Sequence, residues 1–306
     1  MSHTHNLRTV SMPAGMVVGA LFCRQISALE TWTGNMITPT LIFLMLFFTF
    51  CRVDMRQMRL SWLHFWLLVI QFCGSIGVYF ILSPFDETVA QGAMICVLAP
   101  IAMAAVVIGD MLGANVATMV SYSLVCNIVT AVAAPMVLRI AGSGDCSVGM
   151  IFAKVAPLLI MPFAAGQFCR YAVKPVGRWV AEHSQISFYM WLVSLTVIIG
   201  RTTSFIIDRT DADGTTEIAM AVIALVICIC QFVAGRRLGR RYGDVVAGGQ
   251  SLGQKNTVLA VWMAQSFLDP LSSVAPTAYI VWQNFVNSWQ LYRKERRDCA
   301  DKRSVS

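Results

Sequence analysis

A chain of 306 residues that is 57% hydrophobic, 13% charged and of mean hydropathy +0.66 is too apolar for a water-soluble domain, whose charged fraction is about 25%. Its net charge of +7 comes from short basic clusters between apolar runs, which argues against a nucleic-acid surface and for a polytopic membrane protein. The ten cysteines include no CxxC pair. Cys51, Cys73, Cys96, Cys126, Cys169, Cys228 and Cys230 fall inside apolar runs, with only Cys146 in an evident external loop, so they read as small buried hydrophobes. His3, His5, His64 and His183 have no ligand spacing, and no cleavable signal peptide is evident.

In chain order, the pattern predicts ten spans. The first, 10–22, is short for a bilayer about 30 Å thick. Spans two and three, 34–50 and 60–82, are joined by the basic loop CRVDMRQMR, and span three contains Gln71. Span four, 87–110, is interrupted by Pro100, which removes a backbone donor and breaks the helix at mid-depth. Span five, 115–140, carries Ser121, Ser123, Asn127 and Thr130 before Pro135. Spans six to eight are 148–169, 186–207 and 218–235; span ten is 271–291.

Span nine, 244–269, has the most unusual content: Gly248, Gly249, Gln250, Ser251, Gly253, Gln254, Lys255 and Asn256 in its first half. At about 1.5 Å per residue Lys255 lies near mid-membrane, too deep to reach either surface easily. A charge there costs at least about 2.5 kcal/mol, which makes it a functional candidate. Three glycines in six residues weaken the helix, so its exposed backbone must face protein or a water-filled cavity.

Each set of five spans thus carries an interrupted helix in fourth place, around Pro100 and around Gly253. Gln71-Phe72 in span three recurs as Gln231-Phe232 in span eight. These features point to two repeats, 1–145 and 146–292, followed by a basic tail, 293–306; five is odd, so the second repeat must be inverted in the membrane. With both ends in the cytoplasm, 17 of the 23 basic residues lie inside, and Glu30, Asp86, Glu87, Asp145, Asp208, Asp211, Asp213 and Asp269 lie outside. Near the outer surface, Lys154 and Arg201 read as snorkelling side chains. Trp62, Trp66, Trp179 and Trp282 read as interface anchors or packing.

The ordered set PTLIFLMLFFTFCRVDMRQMR, VIQF, NVATMVSYSLVCNIVTAVAAPMV, GRRLGRRYGD, GQKNTVLAVWMAQ and APTAYIVWQN resembles the bile acid:sodium symporter family over nearly the full length. The resemblance implies an all-α protein of ten spans. Spans one, two, six and seven would form a panel, the others a core, and the broken spans four and nine would cross. It also implies sodium-driven uptake of an organic anion by alternating access.

The sodium ligands are where the chain departs from that pattern. Aligned on NTVLA, the family's span-nine Glu falls on Ser251 and its Gln on Lys255, leaving Asn256. The span-four hydroxyl and Asn fall on Ala105 and Val106. Span five keeps Ser123 but has Met119 where a hydroxyl is expected, and Gln71 persists in span three. An ammonium carries sodium's charge and donates to three oxygens, so Lys255 is read as standing in for the ion. With no carboxylate at its depth, it must pair with freed carbonyls, Gln71, Ser251 or an anionic substrate.

The ion-site positions are therefore Gln71, Ser123, Ser251, Gln254 and Lys255, with helix breaks at Pro100 and Gly253 and no certain metal. The resemblance assigns Asn256, Gln283 and Asn284 to the substrate, joined by Lys255; the alternative is that Gln283 and Asn284 tie neighbouring helices together. The expectation is a bacterial inner-membrane transporter of a bile-acid-like or small carboxylate anion, sodium-independent, with sodium or a proton as candidate coupling ion and no other cofactor. The alternatives are an ordinary sodium:organic anion symporter or a ligand sensor of the same fold. No nucleophile–base pair within the spans suggests an enzyme.

Overall fold

With no water in hydrocarbon to satisfy the backbone, apolar runs of this kind close their hydrogen bonds within helices. The computed structural model describes residues 14–305 except 56, 57, 59, 103, 143–146, 184 and 209–213. Among the described residues the chain is helical, apart from one isolated β-bridge and short turns. The elements in order are α1 (14–21), α2 (Cys23–Trp32), α3 (Ile37–Phe50), α4 (Trp62–Leu82), α5 (Glu87–Leu98), α6 (Ala104–Leu112), α7 (Val116–Ala141), α8 (Val148–Tyr171), α9 (Lys174–Glu182), α10 (Gln185–Ile207), α11 (Thr215–Arg241), α12 (Val245–Gly253), α13 (Thr257–Phe267), a 3₁₀ turn (Pro270–Ser273) and α14 (Val274–Val305). Four of these, α4, α7, α8 and α11, are long and apolar enough on their own to cross a bilayer; α2 with α3 makes a fifth if that bent pair counts as one span.

Helix starts are fixed by short polar side chains that accept otherwise orphaned N–H groups. Asp86 accepts from Val89 N at 2.9 Å, Asn115 from Thr118 N at 3.2 Å, Ser147 from Met150 N at 3.2 Å and Asp244 from Ala247 N at 2.8 Å. Pro135 in α7, and Pro157 and Pro162 in α8, sit inside helices that continue through them.

Helices α2, α3, α8, α9 and α10 pack on one another, while α4–α7 and α11–α14 form the other set of contacts. The two sets meet along α7 and α8 and where α10 touches α13 and α14. Gly166 lets α8 approach α3 closely: a Cβ there would be 2.9 Å from Cys51 N and Phe50 Cβ. From α8, Gln167 Nε2 donates to Phe50 O at 2.8 Å, and Arg170 donates to Cys51 O and Arg52 O and pairs with Asp54 at 3.1 Å, so the end of α3 is capped.

Several expectations are corrected here. Helix does not stop at the 10–22 boundary: after an irregularity at Phe22 it resumes as α2 to Trp32, so residues 23–32 are helical. Glu30 is not an outer-loop acid. It is 1% exposed and accepts from Ile37 N and Thr38 N, both at 3.2 Å, and from the Thr38 hydroxyl, thereby holding α3 at 84° to α2. Arg201 does not snorkel; its Nη1 lies 3.5 Å from Glu30 Oε1. Cys73 and Cys230 are exposed rather than buried. The segment between spans six and seven contains the short helix α9, and residues 293–305 continue α14 as helix. Residues 10–13 of the first span, Arg8, His3, His5, Arg56, Arg59, Asp145, Cys146, Asp211 and Asp213 lie outside the described residues.

Candidate functional site

The site is built where two helices stop in the middle of the protein. Helix α5 is buried from Val89 to Leu98, and α12 from Ala247 to Gly253. Pro100 ends the first hydrogen-bond ladder because it has no N–H to give to Cys96 O. The two breaks then pair with each other: Ala102 N donates to Gln254 O at 2.9 Å and Asn256 N to Pro100 O at 2.8 Å, around an antiparallel bridge between Ile101 and Lys255. Helices α6 and α13 resume on the far sides, and the Asn256 side chain caps α13 by accepting from Leu259 N at 3.2 Å.

The carbonyls left at these helix ends are buried and need donors. Four side chains supply them. Lys255 Nζ donates to Val97 O at 2.9 Å, and Gln71 Nε2 donates to Leu98 O at 2.8 Å and Ala99 O at 3.2 Å. Gln231 Nε2 reaches Cys96 O at 3.3 Å, supplying the bond that Pro100 cannot make, and Tyr279 Oη donates to Gly253 O at 2.7 Å. Each glutamine is held by a tyrosine: Tyr122 Oη donates to Gln71 Oε1 at 3.1 Å, and Gln231 Nε2 also donates to Tyr279 Oη at 3.1 Å.

Lys255 is 1% exposed. Its backbone N–H donates to Gln283 Oε1 at 2.9 Å, and the thiols of Cys96 and Cys126 lie beside its charge. Among the described residues the carboxylate ion pairs are Arg170–Asp54 and Arg201–Glu30, so no carboxylate neutralises the ammonium. Its Nζ is held instead by the Val97 carbonyl.

Of the expected site residues, Gln71, Pro100, Gln254, Lys255, Asn256 and Gln283 are brought together at the paired breaks, with Ser251 and Gly253 buried in the last turn of α12. Ser123 is buried in α7, where its carbonyl accepts from Asn127 Nδ2 at 2.7 Å. Asn284 is half-buried and donates to Ile280 O at 2.6 Å within α14. Ala105 and Met119 are fully buried and apolar, so they offer sodium no side-chain oxygen. Sequence reasoning missed Tyr122 and Tyr279, whose signal is a single phenol inside an apolar run, and noticed Gln231 only as an echo of Gln71. An open hollow of about 680 Å³ is lined by Arg24, Ser27, Ala28, Thr31, Trp32, Ser204 and Asp208 between α2 and α10 and shares no residue with the breaks. The breaks, with their buried cation and freed carbonyls, carry the chemistry; the hollow is wide and shallow.

No curated protein matches the chain. The profile of the SBF-like CPA transporter family, related to the bile acid:sodium symporters, matches residues 53–285, from just after α3 into α14, and so covers every residue of the paired breaks. An integral membrane protein of this helical content, matched over well over half its length, belongs to the SBF-like CPA transporter family.

Proposed function

We propose that this protein is a secondary transporter that moves an organic anion by alternating access without sodium, with Lys255 taking the place of the ion. The observation that carries the reading is the Lys255 Nζ bond to Val97 O at the paired breaks, with no carboxylate partner among the described residues. In this position the ammonium donates to the Val97 carbonyl beside the interrupted helix and brings a positive charge to attract an anion. Substrate contacts fall to Asn256, Gln283 and Asn284, beside Gln71, Ser123, Ser251 and Gln254.

The architecture we propose for it has ten crossings in a five-plus-five inverted repeat, 1–145 and 146–292. α1–α3 and α8–α10 form the panel and the remaining helices the core, with both ends in the cytoplasm of a bacterial inner membrane. The two Gln–Tyr bonds support this: Gln71–Tyr122 and Gln231–Tyr279 link the third span to the fifth and the eighth to the tenth, at separations of 51 and 48 residues. Alternating access then amounts to the panel rocking against a core pinned at the paired breaks.

The test is counterflow of labelled small carboxylates in proteoliposomes. Exchange in sodium-free buffer, unchanged by added sodium, is the expected result. Exchange that requires sodium would make the protein an ordinary symporter, and binding without exchange would make it a sensor.

A further inference from the structure

A second polar cluster lies away from the paired breaks, where α11, α12 and α14 meet. Gln250 Nε2 donates to Asn287 Oδ1 at 3.1 Å and to Gln290 Oε1 at 3.2 Å, and Arg236 Nη2 donates to the same Gln290 oxygen at 2.9 Å. Gln250, Asn287 and Gln290 are 1%, 3% and 6% exposed. Among the described residues two of their atoms have no partner: Gln250 Oε1 and Asn287 Nδ2. Exchanging the O and N positions of these amides does not remove the deficit. Turning Asn287 alone sets N–H against N–H, and turning both sets Gln250 Oε1 against Gln290 Oε1, so a spare donor and a spare acceptor remain in each case.

The charge at this place is positive. Among the described residues Arg236 has no carboxylate ion pair, and Arg293 and Arg297 add positive charge to its surroundings. The guanidinium stem lies across Gly249, where an added Cβ would be 2.6 Å from Arg236 Cγ, so the side chain is laid along α12 rather than extended away from it. Gln283, Asn287 and Gln290 follow one another at i, i+4 and i+7 on α14, hence on one face. The row starts at the Gln283 contact with Lys255 and ends at Arg236.

We propose that Arg236, Gln250, Asn287 and Gln290 form a second anion site, on the cytoplasmic side of the paired breaks, that binds the head of a small hydroxy-carboxylate. The guanidinium fork and Asn287 Nδ2 donate to the carboxylate, and Gln250 Oε1 accepts from the neighbouring hydroxyl. Two buried, unpartnered atoms of opposite hydrogen-bonding sense beside a guanidinium that has no carboxylate partner among the described residues match that group. A bare carboxylate uses only the donors. The site rests on the anion-transporter reading for its role as a station on the path, whereas binding itself does not depend on transport.

The test is thermal stabilisation of the purified full-length protein by glycolate, acetate and inorganic phosphate, in the wild type and in Arg236→Gln and Asn287→Asp. The second variant keeps an acceptor for Gln250 Nε2 but sets a negative charge against the ligand. Wild-type protein is expected to respond to glycolate at about fivefold lower concentration than to acetate, the value of one neutral hydrogen bond. Both variants are expected to lose at least fivefold in glycolate response, because each removes a donor to the carboxylate. An unchanged glycolate response in the variants, or none in the wild type, overturns the site. Phosphate acting as well as glycolate through the same residues overturns the hydroxy-carboxylate assignment. Loss of counterflow with this binding intact would instead sink the transporter reading and leave the site standing.

Discussion

Gly248→Ala and Gly249→Ala are the same chemical change at adjacent residues of α12, and the packing against α11 separates their outcomes. A Cβ at Gly248 would lie 2.3 Å from Gly235 O, 2.8 Å from Gly239 Cα and 2.9 Å from Gly239 N, all backbone atoms. Ordinary contact is about 3.5 Å, so the two helices would have to part by roughly 1 Å. Overpacking of that kind costs about 1–3 kcal/mol, and with backbone as the obstacle the upper end applies. Replacing glycine inside a helix returns about 1 kcal/mol, for a net loss of roughly 2 kcal/mol. At Gly249 the obstacle is Arg236 Cγ at 2.6 Å, a side-chain atom that a χ1 rotation can move, so the low end of the overpacking cost, about 1 kcal/mol, is set against the same propensity gain and the net change is about zero. Unfolding of the purified variants in detergent, by heat or by titrated denaturing detergent, reads the difference. Equal stabilities, or Gly249→Ala being the weaker protein, would refute the close approach of α11 and α12 on which the placement of Lys255 depends.

Gln71→Leu leaves the Leu98 and Ala99 carbonyls and the Tyr122 hydroxyl without their amide partner. Each buried orphan costs about 1–3 kcal/mol, so the loss should exceed that of Tyr122→Phe, which removes one interhelical bond worth about 0.6 kcal/mol; similar losses in a thermal unfolding comparison would show that the freed carbonyls do not need Gln71. Glu30→Gln keeps an acceptor for Ile37 N and Thr38 N but leaves Arg201 unpaired. Because Arg201 is 21% exposed and the contact is 3.5 Å, the cost is set below the range for a fully buried pair, at about 1–3 kcal/mol. The double variant Glu30→Gln with Arg201→Gln should recover part of it, and strict additivity in the same unfolding assay would count against the pair.

The helix breaks were legible because their causes are local: Pro100 lacks a donor, and a lysine eleven residues into an apolar span cannot reach water. What the breaks do to one another was not legible. The partner of Lys255 is a backbone carbonyl 158 residues earlier, and the identity of Val97 says nothing about whether its oxygen is free. Glu30 and Arg201 each looked like a charge at the end of a span; only a contact across 171 residues turns them into a part-buried pair. Gly248 was read as weakening its helix, whereas it is the space through which α11 and α12 touch. The charged composition of 174–182 hid a short helix, α9, with Val176 and Trp179 exposed and Val180 buried. Tyr122 and Tyr279 were overlooked because a phenol in an apolar run is ordinarily packing, and its hydroxyl matters here only through the glutamine it meets.

The central claim is that Lys255 does the work of a sodium ion. The most direct measurement is stabilisation of the purified protein and of Lys255→Gln by a panel of organic acids, with and without sodium. The account predicts that an acid stabilises the native protein equally well without sodium, and that the variant either loses the response or acquires a requirement for sodium. Sodium-dependent stabilisation of the native protein would contradict it.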